Sequence, residues 1–289
     1  MKVLRFFFQL INVVVIATLL YIHFIAKEKS YLHSLNFYTF PLPIIIGIIL
    51  FFSIFLKVKK YNFIVAGLLL VFWLFGSFKI HIPEKINDTD IEIVFWNASR
   101  SNGFNEAFDI NGTVPDILVL TESGYNNLDT LKLKYPNIYF YKIAKEIYIS
   151  SKTEIEVEST IISNYKTTIV PFKTPDVQFY AVDVTGSTDV PREWELTFVD
   201  SVVKQRKNTV ILGDFNVPYE SKYLKPFKTD FKHAFNEKGI GFRETWFYNL
   251  PLLSLDHIWV SKNFKVLKTN KTNTFKSDHN LLSTFIRKI

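Results

Sequence analysis

The chain has 289 residues, no cysteine, and 34 basic against 27 acidic side chains, which gives a net charge of +7. This length allows one large domain or two small ones, and the absence of cysteine argues against a zinc site while remaining compatible with an oxidising exterior. Eight of the bases and one of the acids lie in residues 1–82, so residues 83–289 carry 26 of each. The larger part of the chain therefore lacks the overall positive field of a generic nucleic-acid-binding domain.

Three long uncharged, apolar runs open the chain. About 20 apolar residues cross a bilayer as a helix. The sequence therefore predicts that residues 1–80 form a membrane anchor with three transmembrane helices, at about 6–26, 36–56 and 61–78. A cleaved signal peptide is the alternative for the first run, but the small-residue cleavage pattern is absent and two further runs follow.

The charges that flank these runs predict the orientation. Lys2 and Arg5 precede the first run, and Lys57, Lys59 and Lys60 lie between the second and the third. Positive loops favour the cytoplasm. We therefore expect a multi-pass protein whose amino terminus is inside and whose large C-terminal domain is extracytoplasmic.

After the anchor, residues 81–90 are polar and are predicted to form a tether. Beyond them, short runs rich in β-branched and aromatic residues alternate with polar turns, which is typical of strands. The clearest helix is predicted at 191–207, with Trp194, Phe198 and Val202 at positions i, i+4 and i+8. The pattern predicts an α+β domain of stacked sheets flanked by helices.

Several predicted strands end in polar side chains, which suggests one site built across the edge of a sheet. Carboxylates, amides and a histidine in one place suit a hard divalent cation such as Mg²⁺ or Mn²⁺, and such a site favours hydrolysis of a phosphate ester. The residues concerned are Asn97, Glu122, Asp214, Asn216, Asp256, Asp278 and His279.

The order and spacing of these motifs resemble the endonuclease/exonuclease/phosphatase superfamily, and the preceding apolar runs are similar to its bacterial membrane-anchored branch. The resemblance covers 91–289 and implies a four-layer α/β/β/α sandwich, like that of deoxyribonuclease, on a bacterial inner or plasma membrane. The motifs that carry it are Asn97 after a strand, "LTES" ending at 123, "LGDFN" ending at 216, "LDHIWVS" ending at 261, and "SDHN" ending at 280.

The resemblance also implies roles for single residues. Glu122 resembles the main metal ligand, with Asn97 beside it and Asp278 completing or supporting the metal shell. Asp214 resembles the group that deprotonates the attacking water, and Asn216 one that holds this water or a phosphate oxygen.

The remaining pair resembles a phosphate-binding histidine and its partner. His279 would face the phosphate, and Asp256 would fix its orientation and keep it cationic, because a carboxylate partner raises the pKa of a histidine.

One position departs from the family pattern. Many relatives carry a histidine on the leaving-group side, where this chain has Thr185, Gly186 and Ser187. The loss of such a residue costs on the order of 10²–10⁴ in rate if nothing replaces it. This departure leaves open a second reading, in which the protein is a catalytically impaired relative that serves as a membrane-bound binding or scaffold module.

Three further residues are candidates for substrate contact: Arg243 and Trp246, by position in the loop before "LDHIWVS", and Lys271, one of several lysines that precede Asp278. Each also has a structural or solvated reading. The overall expectation is a membrane-anchored, metal-dependent phosphodiesterase whose substrate is a nucleic acid or a phospholipid head group. The bilayer is the expected partner, and no protein partner is inferable.

Overall fold

The computed structural model describes residues 2–56, 59–144, 146–204 and 206–289, so Lys57 lies outside the described residues. The chain divides into two compact units, Met1–Phe78 and Lys79–Ile289.

The N-terminal unit is helical. Helix α1 (Lys2–Leu20) continues into a π-helical turn (Tyr21–Ala26), and α2 (Tyr31–Thr39), α3 (Leu42–Phe55) and α4 (Lys60–Ser77) follow. Two stretches, Val3–Ala26 and Lys60–Ser77, are long and apolar enough to cross a membrane. Helices α2 and α3 pass the same test only when they are taken together, and they are bent by 67°.

The predicted second span, 36–56, is therefore not one straight helix. Pro41 and Pro43 lie at the bend, where proline lacks an N–H and disfavours helix in the residue before it. Helix α3 has 14 residues, a length of about 21 Å, which is shorter than the hydrocarbon core of about 30 Å. The unit thus offers two spans, or three if the bent pair crosses as one.

A pair of amides ties these apolar helices together. Asn12 and Asn62 exchange hydrogen bonds in both directions, at 3.1 and 2.9 Å, and Asn62 also donates to the carbonyl oxygen of Ile49 at 3.3 Å. Both side chains are buried. A buried amide needs such partners in an apolar environment, so the pair fixes α1, α3 and α4 against one another.

Two large sheets form most of the C-terminal unit. Within the described residues, one sheet has the strand order β14-β15-β2-β3-β5-β4 and the other the order β11-β13-β10-β9-β8-β6, with β7 also paired to β8. The strands are β1 (Phe78–Ile80), β2 (Ile91–Asn97), β3 (Ile117–Thr121), β4 (Tyr139–Lys142), β5 (Tyr148–Ser151), β6 (Glu156–Val157), β7 (Ile161–Ile162), β8 (Thr168–Lys173), β9 (Gln178–Asp183), β10 (Thr209–Asp214), β11 (Phe231–His233), β12 (Ile240–Phe242), β13 (Asp256–Ser261), β14 (Phe264–Thr272) and β15 (Leu281–Lys288).

The side-chain alternation of the strands explains the layers. In β2, Ile93 and Phe95 point into a core shared with the other sheet, whereas Val94 and Trp96 pack on the outer side against helix α5. The sandwich of two sheets between helices confirms the predicted fold class. The helices of this unit are α5 (Phe104–Asn111), α6 (Leu128–Lys134), α7 (Arg192–Val202), α8 (Lys225–Asp230), which follows a 3₁₀ turn (Lys222–Leu224), and α9 (Ala234–Lys238).

Helix α7 lies within the predicted range 191–207 but ends at Val202. The predicted apolar positions are only partly buried, because Trp194 is 53% exposed and Phe198 and Val202 are half-buried. The helix buries Leu196 and Val199 together with Glu195, whose carboxylate accepts a hydrogen bond from Ser163 at 2.9 Å.

The segment predicted as a tether, 81–90, forms no helix or strand and lies along the edge of the six-stranded sheet. The N–H of Glu84 donates to the carbonyl oxygen of Leu267 at 2.9 Å. Ion pairs fix the segment at two points: Glu84 with Lys238 at 2.9 Å and Lys265 at 2.6 Å, and Asp90 with Arg287 at 2.6 Å.

Candidate active site

The strand directions bring the predicted site residues to one edge. Strands β2 and β3 are parallel, and so are β9 and β10, so that the carboxyl ends of each pair lie together. Strand β13 runs antiparallel to β10 and begins where β10 ends, and His279 precedes β15, which runs antiparallel to β2. The result is a cluster at the seam between the two sheets.

Two contacts cross this seam. The amide of Asn97, at the end of β2, donates to Oδ2 of Asp214, at the end of β10, at 3.1 Å. Nδ1 of His279 lies 2.8 Å from Oδ2 of Asp256. The first contact joins strand β2 of the six-stranded sheet to β10 of the seven-stranded sheet, and the second joins β13 of the seven-stranded sheet to the loop before β15 of the six-stranded sheet.

Gly213 allows Asp214 to lie where it does. A Cβ at position 213 would lie 1.9 Å from the carbonyl oxygen of Val182 on strand β9. Only glycine permits this approach of the two backbones. The "LGD" motif thus has a steric basis in addition to its chemistry.

The loop after Asp214 is held by its own polar groups. The N–H of Asn216 donates to Oδ1 of Asp214 at 2.9 Å, and the Asn216 amide donates to the carbonyl oxygen of Val184 at 2.6 Å. Asn216 has a φ of 51°, in the left-handed region that asparagine tolerates better than most residues. The loop therefore presents both predicted catalytic side chains in a fixed arrangement.

Two buried histidines support the same loop from behind. Nε2 of His257 lies 3.0 Å from the carbonyl oxygen of Val217, and Nδ1 of His257 lies 3.0 Å from Nε2 of His233. The N–H of Asn236 donates to Nδ1 of His233, so the chain of bonds is complete when both rings are neutral. Burial lowers the pKa of both, that of His257 to about 4.

His279 is held as a cation. Burial by itself lowers its pKa, but the charge of Asp256 and the hydrogen bond to it, with further contributions from Asp214 and Asp278, raise the pKa to about 10. Its Nε2 lies 3.9 Å from Oδ2 of Asp214. The predicted role of Asp256 as the partner of His279 agrees with this geometry.

Three aspartates lie side by side at the ends of adjacent strands, because Asp214 is in register with Asp183 on β9 and with Asp256 on β13. Burial raises the pKa of Asp214 to about 8, the charges of Asp256 and Asp183 add to this, and His279 opposes it. Burial likewise raises the pKa of Asp183 to about 7, together with the charges of Glu122 and Glu146. Sequence reasoning missed Asp183, although it ends its strand in the same way as Asp214.

Glu122 follows strand β3 with a φ of 44°. Its carboxylate lies 2.8 Å from Nη1 of Arg100, and Nε of the same guanidinium lies 3.1 Å from Glu146. The N–H of Arg100 also donates to the carbonyl oxygen of Glu122 at 2.5 Å. Arg100 and Glu146 are further site residues that the sequence did not reveal, since neither belongs to a recognisable motif.

Asp278 accepts two hydrogen bonds, from Ser99 Oγ at 2.7 Å and from Trp246 Nε1 at 3.0 Å. Burial pushes its pKa up, but these bonds and the charge of His279 outweigh burial and lower it. The N–H of Ser99 also donates to Oδ1 of Asn97 at 3.1 Å, which links the two residues. Trp246 thus lies at the site, where it orients Asp278.

The donor set fits a hard divalent cation. Oxygens of Asn97 and Asp278 accept hydrogen bonds from Ser99 in the loop 97–100, and the carboxylate of Glu122 pairs with Arg100 of the same loop. Asp214, Asp256 and His279 also offer ligand atoms within 4.8 Å of one another. Nδ1 of His279 is already bonded to Asp256, and Nε2 faces Asp214 at 3.9 Å. This second group is therefore better described as a histidine between two carboxylates than as a metal site.

An open cleft of about 480 Å³ lies beside Glu122. Among the lining residues that the structure describes there is no histidine, and Thr185 stands where the resemblance leads one to expect it. The N–H of Thr185 donates to Thr167 Oγ1 at 3.1 Å, and its carbonyl oxygen accepts from Arg192. The lining residues include Arg100, Glu122, Glu146, Lys166, Asp183 and Thr185.

Two predicted substrate-binding residues make their contacts elsewhere. Arg243 is buried, pairs with Glu220 and stacks on the ring of Tyr219 at 4.2 Å. Lys271 donates to the carbonyl oxygen of Glu244 at 2.6 Å, and burial lowers its pKa to about 8. These contacts give Arg243 a structural role in the loop that precedes β13, and Lys271, on β14, one that ties its strand to the same loop.

A two-sheet sandwich between helices, with acids, amides and a charged histidine gathered at its seam, has the features of a phosphoester hydrolase. The model of the Endonuclease/Exonuclease/phosphatase family matches residues 96–279, and the chain belongs to this family. No curated protein matches the chain.

Solved structures share the fold at low sequence identity. An endonuclease/exonuclease/phosphatase from Bacteroides vulgatus is 17% identical with a TM-score of 0.54, and the match covers 70% of this chain and 100% of that one. A mannosyl-6-phosphatase from Bacteroides thetaiotaomicron is 14% identical, with a TM-score of 0.52 and coverages of 68% and 99%. The catalytic domain of human nocturnin is 13% identical, with a TM-score of 0.52 and coverages of 75% and 99%.

Proposed function

We propose that the protein is a membrane-anchored, divalent-metal-dependent hydrolase of phosphodiester bonds. The observation that carries the proposal is the pair of contacts across the seam, Asn97 with Asp214 and Asp256 with His279. They place a carboxylate of raised pKa next to a histidine that is held as a cation. This arrangement can accept a proton from water and stabilise negative charge on phosphate at one point.

In the proposed reaction, Asp214 takes the proton of the attacking water, since a base whose pKa lies near neutral is well matched to this task. Asn216 holds the water or a phosphate oxygen in place. His279 donates from Nε2 to a second phosphate oxygen, while Asp256 keeps its ring oriented and charged. Attack forms the new P–O bond and expels the leaving oxygen on the opposite side.

Asn97, Glu122 and Asp278 would hold the metal. When bound, Mg²⁺ or Mn²⁺ supplies charge stabilisation for the phosphate. Ser99 and Trp246 orient Asp278 for this purpose, and Arg100 would have to share or release Glu122.

An exposed apolar rim beside the site favours a lipid head group over a nucleic acid as the substrate. Phe247, Tyr248, Leu250 and Phe275 form this rim, and Phe275 is 80% exposed. The N–H of Tyr248 donates to the carbonyl oxygen of Asp278 at 3.0 Å, so the rim adjoins the site directly. Aromatic side chains suit the membrane interface, and the 26 bases and 26 acids of residues 83–289 give no overall attraction for polyanions.

The test is hydrolysis by the full chain in detergent micelles, with Mg²⁺ or Mn²⁺ and then with excess chelator. The substrates are a phospholipid diester, plasmid DNA, RNA and bis-p-nitrophenyl phosphate, with mannose 6-phosphate as a monoester. We expect the lipid diester to be hydrolysed fastest, chelator to abolish turnover, and Asp214→Ala and His279→Ala to lower it by a factor on the order of 10² or more.

Asp176→Asn, at a side chain that is 72% exposed, is the matched control and should be unaffected. Turnover that is equal in the wild type and both active-site variants, or absent in all of them, would contradict the proposal. The second outcome would favour the impaired binding module that the threonine at position 185 suggests.

We further propose that the C-terminal domain lies outside the cytoplasm. The number of crossings decides it, because three spans place the two ends of the anchor on opposite sides and two spans place them on the same side. A reporter that is active only outside the cytoplasm, fused after Ile289, should be active. A fusion active only in the cytoplasm would mean that α2 and α3 enter and leave on one side.

A further inference from the structure

Two cations, Arg100 and Lys166, line the cleft beside Glu122. The threonine at position 185 stands where relatives carry a histidine, and a hydroxyl cannot carry positive charge. Thr185 is bonded through its N–H to Thr167 Oγ1 at 3.1 Å. This bond ties the strand end to the turn 163–167, in which Lys166 precedes Thr167.

The turn that carries Lys166 is fixed. Ser163 Oγ accepts from the N–H groups of Tyr165 and Thr167, each at 3.1 Å, and donates to Glu195 on helix α7 at 2.9 Å. The N–H of Lys166 donates to the carbonyl oxygen of Ser163 at 3.1 Å. Lys166 has a φ of 73°, which costs a residue with a side chain on the order of 1 kcal/mol and persists only where the surroundings hold it.

The two cations that line the cleft differ in their ion pairs. Arg100 pairs with Glu122 and Glu146. Lys166 makes no ion pair with any residue that the structure describes, although Asp183 and Thr185 line the same cleft. Its side chain can therefore turn toward a ligand without breaking an existing contact.

We propose that Lys166 is the residue that replaces the missing histidine and acts on the leaving group. This assignment rests on the proposed function. The P–O bond breaks with its electron pair on the leaving oxygen, the ammonium of Lys166 donates a hydrogen bond to that oxygen and transfers a proton to it, and solvent water reprotonates the exposed lysine. The proton of the attacking water passes to Asp214 and then to solvent, so the sum is addition of one water across the bond.

The test varies the leaving group. Two diesters are compared with the full chain in detergent micelles, one that expels p-nitrophenolate and one that expels a simple alkoxide. An alkoxide needs protonation as it leaves, whereas p-nitrophenolate is stable without it. We expect Lys166→Ala to lower kcat on the alkyl diester by about 100-fold and on the nitrophenyl diester by less than about 3-fold. Lys166→Arg, which keeps the charge but is a weaker acid, should give an intermediate loss.

Lys173→Ala, at a half-exposed lysine that pairs with Glu156 on strand β6, is the control and should change neither rate. The thermal midpoint of Lys166→Ala should equal that of the wild type, because the side chain is exposed. Equal losses on both substrates, or no loss on either, would overturn the assignment of Lys166 while leaving the hydrolase intact. Failure of the wild type on both substrates would overturn the proposed function itself, and this assignment with it.

Discussion

Replacing Asp256 with asparagine removes one charge beside His279 and leaves the size of the side chain almost unchanged. Oδ1 and Oδ2 of Asp256 lie 3.1 and 2.8 Å from Nδ1 of His279. The N–H of Asp256 donates to Thr245 Oγ1, which keeps the backbone in place. The substitution therefore changes the protonation of His279 more than its position.

The size of the effect follows from the pKa. Burial lowers the pKa of His279, and the charge of Asp256 is the largest factor that raises it, to about 10. Without that charge we expect the pKa to fall toward the ordinary value of 6.5. At pH 8 the protonated fraction then drops from about 99% to about 3%, a loss of roughly 30-fold, whereas at pH 6 about three quarters remains protonated.

The assay is kcat/KM for bis-p-nitrophenyl phosphate from pH 6 to pH 9, expressed as the ratio of Asp256→Asn to wild type. The charge of Asp256 raises the pKa of Asp214 and the charge of His279 lowers it, so the loss of both partly cancels and the ratio follows mainly the titration of His279. We expect the ratio to be about 0.75 at pH 6 and to fall to about 0.03 at pH 8. His279→Gln should be impaired equally at every pH.

A ratio for Asp256→Asn that stays constant across this range would show that turnover does not require the charge on His279. A ratio that falls toward low pH instead would mean that neutral His279 is the active form.

The remaining predictions concern stability. Asp214→Asn should abolish turnover yet raise the thermal midpoint at pH 8 by several degrees. The pKa of Asp214 is raised to about 8 in the folded protein, so its ionised form destabilises the fold as pH rises through about 8. Scanning calorimetry at pH 5 and pH 8 checks this, and a gain that is larger at pH 5 would contradict it. Gly213→Ala should lower the free energy of unfolding by about 3 kcal/mol, because its Cβ meets Val182 O, while Gly186→Ala, whose nearest contact is 3.6 Å, should be neutral in urea unfolding. Asn12→Leu should lower the free energy of unfolding of the helical unit in detergent by about 1 kcal/mol. The double variant Asn12→Leu/Asn62→Leu should restore part of this loss, because it leaves no amide without a partner. Equal losses of unfolding free energy in both variants would show that the pair is not coupled.

The sequence predicts the positions of most residues of the candidate site, because the end of a buried strand can be recognised in the sequence. A buried apolar run followed at once by Asp214 or Asn97 places a polar side chain at a sheet edge, and parallel neighbours gather such ends together. Asp183 ends strand β9 in the same way, but it belongs to none of the motifs that carry the resemblance. Arg100 and Glu146 carried no local signal, since only folding brings them to Glu122.

Other differences between the sequence-based predictions and the structure have similar physical causes. The span predicted at 36–56 is bent at Pro41 and Pro43, whose effect on a helix is local and predictable. Arg243 is a candidate for substrate contact because a cation near a phosphate site is chemically reasonable, but it pairs with Glu220, which lies 23 positions away, and only the fold reveals this pair. Helix α7 buries Glu195, which lies outside the predicted apolar positions, because its carboxylate accepts a hydrogen bond from Ser163.

Because the site is divided between two sheets, turnover depends on the position of one sheet relative to the other. A slide of one sheet over the other by the spacing of a single residue, about 3.3 Å, would separate Asn97 from Asp214 and His279 from Asp256 while leaving every strand ladder intact. On warming, the protein should lose activity at a temperature at which its circular dichroism still shows full strand content. Substitutions of core residues such as Phe95 or Leu212, which pack between the two sheets, should shift the temperature at which activity is lost.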